Sequence, residues 1–311
     1  MTDEEKKYRI KTNISAFFIR FFRYALLIGL SFIILYPIIY MISCSFRERS
    51  DMNDPTVMWI PRNFTLDIIK ETMQAMNFGE TLLNTLVLNI GCCAVQVISC
   101  AVTGYGFARF NFRGKKILLA ILIFTILVPI QVISLPLYTQ FRYFGIKGIF
   151  SVNLIDTFAC MYLPAMLGNG IRSGLIILIF IQFFKGLPRE LEDAACLDGC
   201  SPFSTFIRVM LPNAFSFVVT AFLFSVVFYW NDSYVSSTFF TNNQTIGLML
   251  KNLDSQLSIA LFNNANINIS PREQIVWMQA GCLISILPLL ILYCYLQKYF
   301  TESIVSSGIV S

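Results

Sequence analysis

The chain has 311 residues, 56% of them hydrophobic and only 13% charged, with a mean hydropathy of +0.66 and a net charge of +5. Soluble domains carry about 25% charged residues, so this composition points to a chain immersed in lipid. It has no histidine, which excludes Ser-His-Asp and Cys-His catalysis, HExxH zinc sites and haem ligation by histidine.

A membrane helix needs roughly 20 mostly apolar residues. Six regions meet that need: about 24–46, 82–108, 117–140, 152–184, 213–231 and 276–297. The predicted fold class is an all-α membrane protein with six transmembrane helices. The expected organisation is an N-terminal segment 1–23, a membrane domain 24–297 with a polar loop at 185–212, and a tail 298–311. The opening MTDEEKKYRIK carries mixed charge, and Phe17–Phe22 is expected to lie along the inner interface. The first apolar run is too long for the core of a cleavable signal and lacks a small-residue cleavage site. Lys and Arg are densest before the first run and in 108–116. The positive-inside rule therefore puts both termini in the cytoplasm of a cell membrane. The same bias accounts for the net charge, and no nucleic-acid partner is expected. Trp59, Trp230 and Trp277 fall toward the outer side in this topology, where amphipathic rings anchor helices.

The second run holds Asn84, Asn89, Gln96 and Thr103. The last three are seven apart and share a helix face, where hydrogen bonding between helices is favoured over lining a pathway. In the third, Gln131 sits between Pro129 and Pro136 in LVPIQVISLP. Proline frees backbone carbonyls, so a kink facing a cavity is expected. The fourth is interrupted by Pro164, Gly168, Gly170 and Gly174. It reads as an outer interfacial segment, with Asp156 at the interface, followed by a true span near 171–184. Such breaks survive only against protein or a cavity. GNGIRSG (168–174) lacks the lysine and strand of a phosphate loop and reads as a flexible break or a close helix packing. The fifth run ends in Trp230, Asn231 and Asp232. An aromatic plate beside hydrogen-bonding side chains suits a sugar; an interfacial anchor with a loop cap is the plainer alternative. Asn84, Gln131, Trp230 and Asn231 are the candidate pathway residues. Most of the nine cysteines lie in apolar runs as small hydrophobes. Cys196 and Cys200 are two thiols where zinc wants four ligands, so no metal site is expected.

The polar stretch KGLPRELEDAACLDGCSPFSTFIRVMLP (185–212) separates the fourth and fifth runs. Pro188 can open a short helix, and Glu190, Glu192 and Asp193 in its first turns suit the helix dipole. Gly199 can break that helix. Ser201 reads as the N-cap of a second, Pro202 as its first residue and Pro212 as its stop. Two short helices meeting at a bend would result. Ala194 and Ala195 give the first a small face that a partner could seat against.

This stretch resembles the cytoplasmic EAA loop of bacterial ABC importer permeases, E-A-A-x3-G-x9-I-x-L-P. Asp193, Ala194 and Ala195 stand for the E-A-A, followed by Gly199, Val209, Leu211 and Pro212. Further likeness to the carbohydrate-uptake, maltose-permease-like subfamily lies in WIPRNFTLD (59–67), NTLVLNI (84–90), GYGFARFNFRGKK (104–116), QFFKGLP (182–188), YWND (229–232) and QKYFTESIVSSG (297–308). The chain departs from the pattern in Asp193 for Glu, in Ile181 where many relatives carry arginine, and in a tail ending SSGIVS. The resemblance implies a type I importer transmembrane domain paired with a homologous second permease, seated on two ATPase subunits and fed by an extracellular substrate-binding protein. No cofactor is bound directly; ATP and Mg would sit on the ATPases. Glu192, Asp193, Ala194, Ala195, Asp198, Gly199, Leu211 and Pro212 would couple ATPase closure to alternating access. The reading is a non-catalytic permease subunit for a carbohydrate, an oligosaccharide or glycoside. The alternatives are a permease for another polar solute such as a peptide or polyamine, a histidine-free intramembrane enzyme, and a stand-alone channel.

Overall fold

The computed structural model describes residues 3–52, 54, 56–57, 59–146, 149–262 and 270–308. Residues 1–2 and 309–311, the ends of the expected N-terminal segment and tail, lie outside the described residues. In chain order the helices are α1 (Asp3–Ser45), α2 (Arg49–Met52), α3 (Asp67–Ala75), α4 (Phe78–Arg109), α5 (Lys115–Leu127) and α6 (Ile130–Arg142). A short hairpin follows, β1 (Phe144–Ile146) paired antiparallel with β2 (Phe150–Val152), with Gly145 opposite Ser151. Then come α7 (Ala159–Met166), α8 (Ser173–Gly186), α9 (Glu190–Leu197) and α10 (Pro202–Thr205). A π-helical stretch, Phe206–Met210, leads into α11 (Leu211–Asn213) and α12 (Phe215–Trp230). The chain closes with α13 (Tyr234–Phe239), α14 (Ile246–Lys251), α15 (Leu253–Phe262) and α16 (Pro271–Gly308). The hairpin is the one departure from an all-helical chain among the described residues.

Each of the six apolar regions coincides with helix. Three are long and apolar enough to cross a membrane unaided: Ala16–Ser45, Phe78–Arg109 and Pro271–Lys298. Two qualify only as bent pairs, α5 with α6 at 101° and Pro202–Asn213 with α12 at 79°. The sixth, α8, has 14 residues and spans about 21 Å at 1.5 Å per residue, short of a bilayer core of about 30 Å. The expected break ahead of it is present, since residues 167–172 are not helical. The bend between α5 and α6 falls at Val128 and Pro129, as the prolines suggested.

The chain divides into two compact units. The first holds Met1–Thr72 and Asn268–Leu283. The apolar side chains of α1 from Phe17 onward are largely exposed, as suits a lipid-facing helix. Phe17–Phe22 continues into the span without a break, and neither residue 23 nor residue 297 interrupts its helix. In this unit Glu71 accepts from Arg49 Nη2 at 2.7 Å and from Trp277 Nε1 at 3.0 Å.

The second unit holds Met73–Ile267 and Ile284–Ser311, and α4 is its centre, packed against α7, α8 and α12. Two polar side chains inside α4 bond neighbouring segments of the unit. Asn89 Nδ2 donates to the Val226 carbonyl at 3.2 Å, and Gln96 Nε2 to the Ile171 carbonyl at 3.1 Å. Tyr229 Oη donates to Gln96 Oε1 at 2.7 Å. In a low-dielectric interior such partners are required. Gly170 abuts this cluster: a Cβ there would overlap Gln96 Oε1 and Tyr229 Oη and would have to displace that hydrogen-bonded pair.

Two of the three tryptophans depart from the expected interfacial role. Trp277 and Trp230 are buried, and Trp230 Nε1 donates to the Ser285 carbonyl at 3.1 Å. Trp59 remains exposed, edge-on to Tyr36 at 5.0 Å. Asp156, with φ +63°, clasps the segment after α13: its carboxylate accepts from the amides of Thr241 (2.8 Å), Asn242 (2.9 Å) and Asn243 (3.2 Å). Partial burial acts to raise its pKa, but these bonds and the Asn242 side chain outweigh burial and hold it below the ordinary carboxylate value.

Candidate functional site

The polar stretch folds as two short helices meeting at a bend. Arg189 occupies the N-cap position of α9 without a side-chain capping bond, and Pro188 lies one residue ahead of it. The proline thus straightens the approach to the helix instead of opening it, because its ring disfavours α geometry in the residue before it. Glu190, Glu192 and Asp193 occupy the first turn. The helix ends in a Schellman cap: Gly199 sits at φ +78°, its amide bonds the Cys196 carbonyl at 3.0 Å, and the Cys200 amide bonds the Ala195 carbonyl at 2.9 Å. Ser201 caps α10, its Oγ accepting from the Ser204 amide at 3.3 Å, with Pro202 as first residue.

Pro212 does not stop the second helix. The chain stays helical to Asn213 and turns at Ala214, which is fully buried. Proline has no amide for the carbonyl four residues back. The π-helical stretch Phe206–Met210 lies immediately before Leu211 and Pro212 and takes up the mismatch. The Ala214 amide then bonds the carbonyls of both Met210 and Leu211 at 3.1 Å.

Exposure divides this element. Asp193, Ala194, Asp198 and Gly199 are exposed, whereas Ala195 is buried and Leu211 half-buried. Leu197 is 90% exposed and Phe203 70% exposed, two large apolar side chains flanking the bend. Glu192 faces inward: Tyr105 Oη donates to its Oε1 at 2.8 Å, and Arg109 Nε lies 3.4 Å from its Oε2. The Arg109 side chain is only 6% exposed, and its Nη2 donates to the Leu187 carbonyl at 2.7 Å. Tyr105 and Arg109 are one turn apart on α4 and so clamp α9 and the end of α8 from one face. Sequence reasoning placed Glu192 with the outward group and missed these two partners. The i, i+4 spacing of a tyrosine and an arginine at the end of the second span was the available signal.

A cavity of about 590 Å³ opens among α5, α6, α7, α8, α12 and α13. Gln131 and Asn231 both line it, joined by Asn169, Arg172, Tyr229 and Asp232. The other two candidate pathway residues lie elsewhere. Asn84 Nδ2 approaches the Gln244 carbonyl at 3.4 Å, and the Trp230 ring is buried against α16, not on the cavity wall. Asn84 and Trp230 thus make contacts within the second unit and are not among the residues lining this cavity. Successive residues of a helix point about 100° apart, so the adjacent Trp230 and Asn231 do not share one face.

The chain is a helical membrane protein with several spans, a cavity between them and a bent polar element tied to the central helix. The sequence pattern of the family described as binding-protein-dependent transport system inner membrane component matches residues 101–305, and the chain belongs to that family. Among its relatives, protein LplC of Bacillus subtilis is 26% identical over 284 residues, covering 90% of this chain and 91% of LplC. The arabinooligosaccharides transport system permease protein AraQ of Halalkalibacterium halodurans is 23% identical over 283 residues, covering 90% and 92%. The crystal structure of a bacterial ABC transporter involved in the import of the acidic polysaccharide alginate includes a chain of the same fold. It aligns with a TM-score of 0.71 at 21% identity, over 92% of this chain and 98% of that one. The chain is accordingly a multi-pass inner-membrane component of a transport system that works with a binding protein.

Proposed function

We propose that the chain is the permease subunit of an ATP-driven importer that moves a carbohydrate by alternating access. The observation that carries this reading is the two-sided character of α9. Glu192 locks its inner side to Tyr105 and Arg109 of the central helix, while its outer side presents Asp193, Ala194, Leu197 and Asp198 to a partner. A load applied to that outer side passes to the helix around which the second unit is packed, which is what a two-state membrane assembly requires. Asp193, Ala194, Ala195, Asp198, Gly199, Leu211 and Pro212 form or shape the coupling element, with Glu192 as its inner tether. Gln131 and Asn231 contact the solute.

The partners in this reading are a homologous second permease, two ATPase subunits that hold ATP and Mg, and an extracellular binding protein. Hydrolysis belongs to those ATPases, and this chain performs no catalysis. Both termini and the bent element lie in the cytoplasm, with 1–23 and 298–311 flanking the membrane domain. Support for a carbohydrate comes from AraQ, and from the Thermoanaerobacterium thermosulfurigenes relative named as a starch degradation products permease, 25% identical over 284 residues.

Gentle solubilisation and affinity capture of the full chain should recover an ATPase and a second permease. Reconstituted into lipid vesicles with the binding protein, the captured complex should move labelled oligosaccharide only with ATP. Passage of sugar through the chain alone, without ATP, would overturn the proposal.

A further inference from the structure

Arg172 stands out among the cavity-lining residues. It is a non-glycine residue held at φ 56° and ψ 23°, immediately ahead of α8. That left-handed conformation costs an L-residue about 1–2 kcal/mol, and such strain gathers at ligand-binding sites. Its guanidinium lies 5.2 Å from the centre of the Phe228 ring. Among the described residues no carboxylate forms an ion pair with it. The cavity's other charged side chain, Asp232, carries the opposite charge and is held by the start of α13. One of its oxygens accepts from the Val235 amide at 3.1 Å, the other from the Ser236 amide at 2.8 Å and the Ser236 hydroxyl at 2.9 Å.

The position of Arg172 adds to this. It lies about 21 Å along α8 from Gly186, counting 1.5 Å per residue, at the N-terminal end of the fourth apolar span. A cation at the end of an apolar span normally faces a partner or water. Here it faces the cavity, with the aromatic ring fixing one plane and its N–H edge left free. A planar guanidinium so held takes an oxyanion through two parallel hydrogen bonds. Gln131, Asn169 and Asn231 on the same walls offer neutral donors and acceptors for hydroxyl groups. The volume of about 590 Å³ falls in the range of about 300–1,000 Å³ that holds small-molecule ligands.

We infer that this cavity selects an anionic saccharide, with Arg172 binding its oxyanion and Gln131, Asn169 and Asn231 binding its hydroxyls. The inference rests on the carbohydrate reading above. It makes Arg172 a specificity-determining residue of the pathway.

The test uses cells carrying the complete transporter and three labelled probes of matched length. These are an oligogalacturonide, a phosphorylated oligosaccharide and a neutral galacto-oligosaccharide. The intact transporter should take up one of the two anionic probes in preference to the neutral one, and which one it takes identifies the oxyanion. Arg172→Gln should raise the KM for that probe by about tenfold or more, the scale on which loss of a charge-assisted contact acts, and should narrow the preference for that probe over the neutral one. Arg172→Lys should restore part of the loss, and both variants should copurify with the partner subunits at normal levels. Preference for the neutral probe, with uptake unaffected by Arg172→Gln, would overturn the inference and leave the carbohydrate reading standing. If none of the three saccharides enters, the carbohydrate reading falls and takes this inference with it.

Discussion

The bent element from Pro188 to Ala214 and the cavity between α5 and α13 are built by opposite means. The bend is local: a Schellman glycine, a serine cap and a first-turn proline fix it within a short run of chain. The cavity gathers side chains from six helices, and its walls include residues distant from one another in sequence, such as Gln131 and Asn231. The first region can be changed one residue at a time with predictable local effect. The second depends on packing that no single segment specifies.

The largest test of this contrast is Gly199→Val. The site is sterically open, with no atom within 4 Å of an added Cβ, so the cost is the backbone strain of about 1–2 kcal/mol at positive φ. The variant should reach the membrane at normal levels yet lose ATP-driven uptake, measured with labelled substrate. Normal uptake would remove the bend from the coupling role. Gly170→Ala should behave differently, since its Cβ would push apart Gln96 and Tyr229; a lower Tm of the purified complex, from a loss of about 1–3 kcal/mol of stability, is the expected outcome.

Glu192→Ala should have the next effect. It strips the nearly buried Arg109 of its ion-pair partner and Tyr105 of its acceptor. Breaking a buried pair costs about 3–5 kcal/mol. Because Glu192 keeps 19% exposure, about 2 kcal/mol is expected, read as a lower Tm of the purified complex. Glu192→Gln should recover part of the loss by keeping an acceptor for Tyr105. An unchanged Tm would show that α9 is held by something else.

Asp156→Asn should have the smallest effect, about 1 kcal/mol, since the clasp is partly solvated. Its pH dependence carries the information. The folded carboxyl titrates below its unfolded value of about 3.9. Its stabilisation is therefore complete above that value and is lost as pH falls through the lower folded one. Wild type and variant should differ at neutral pH and converge in acid, as followed by unfolding at a series of pH values.

Much of the bent element was legible because caps and breakers act through neighbouring backbone. Gly199, Ser201 and Pro202 hold the positions their chemistry favours. Pro212 was misplaced as a stop because a π-helical stretch absorbed its missing amide, an adjustment made by the packing of Met210 and Ala214 into the core. Glu192 was grouped with its outward neighbours because helix spacing alone does not say which side meets α4. In the cavity, Gln131 was anticipated from its two prolines and Asn231 from its place at a helix end. Trp230, adjacent to Asn231, was assigned to the wrong face, and Arg172 was passed over as part of a glycine-rich break.

By itself the sequence determined that the chain lives in lipid, where its apolar runs lie and where its polar loop bends. Those features follow from transfer free energies and from backbone geometry within a few residues. The tertiary structure alone decided which polar side chains close on one another and which remain free in a cavity. A buried Gln96 bonded to Tyr229 and an Arg172 lying over Phe228 on a cavity wall differ in what distant helices bring within a few ångströms of them.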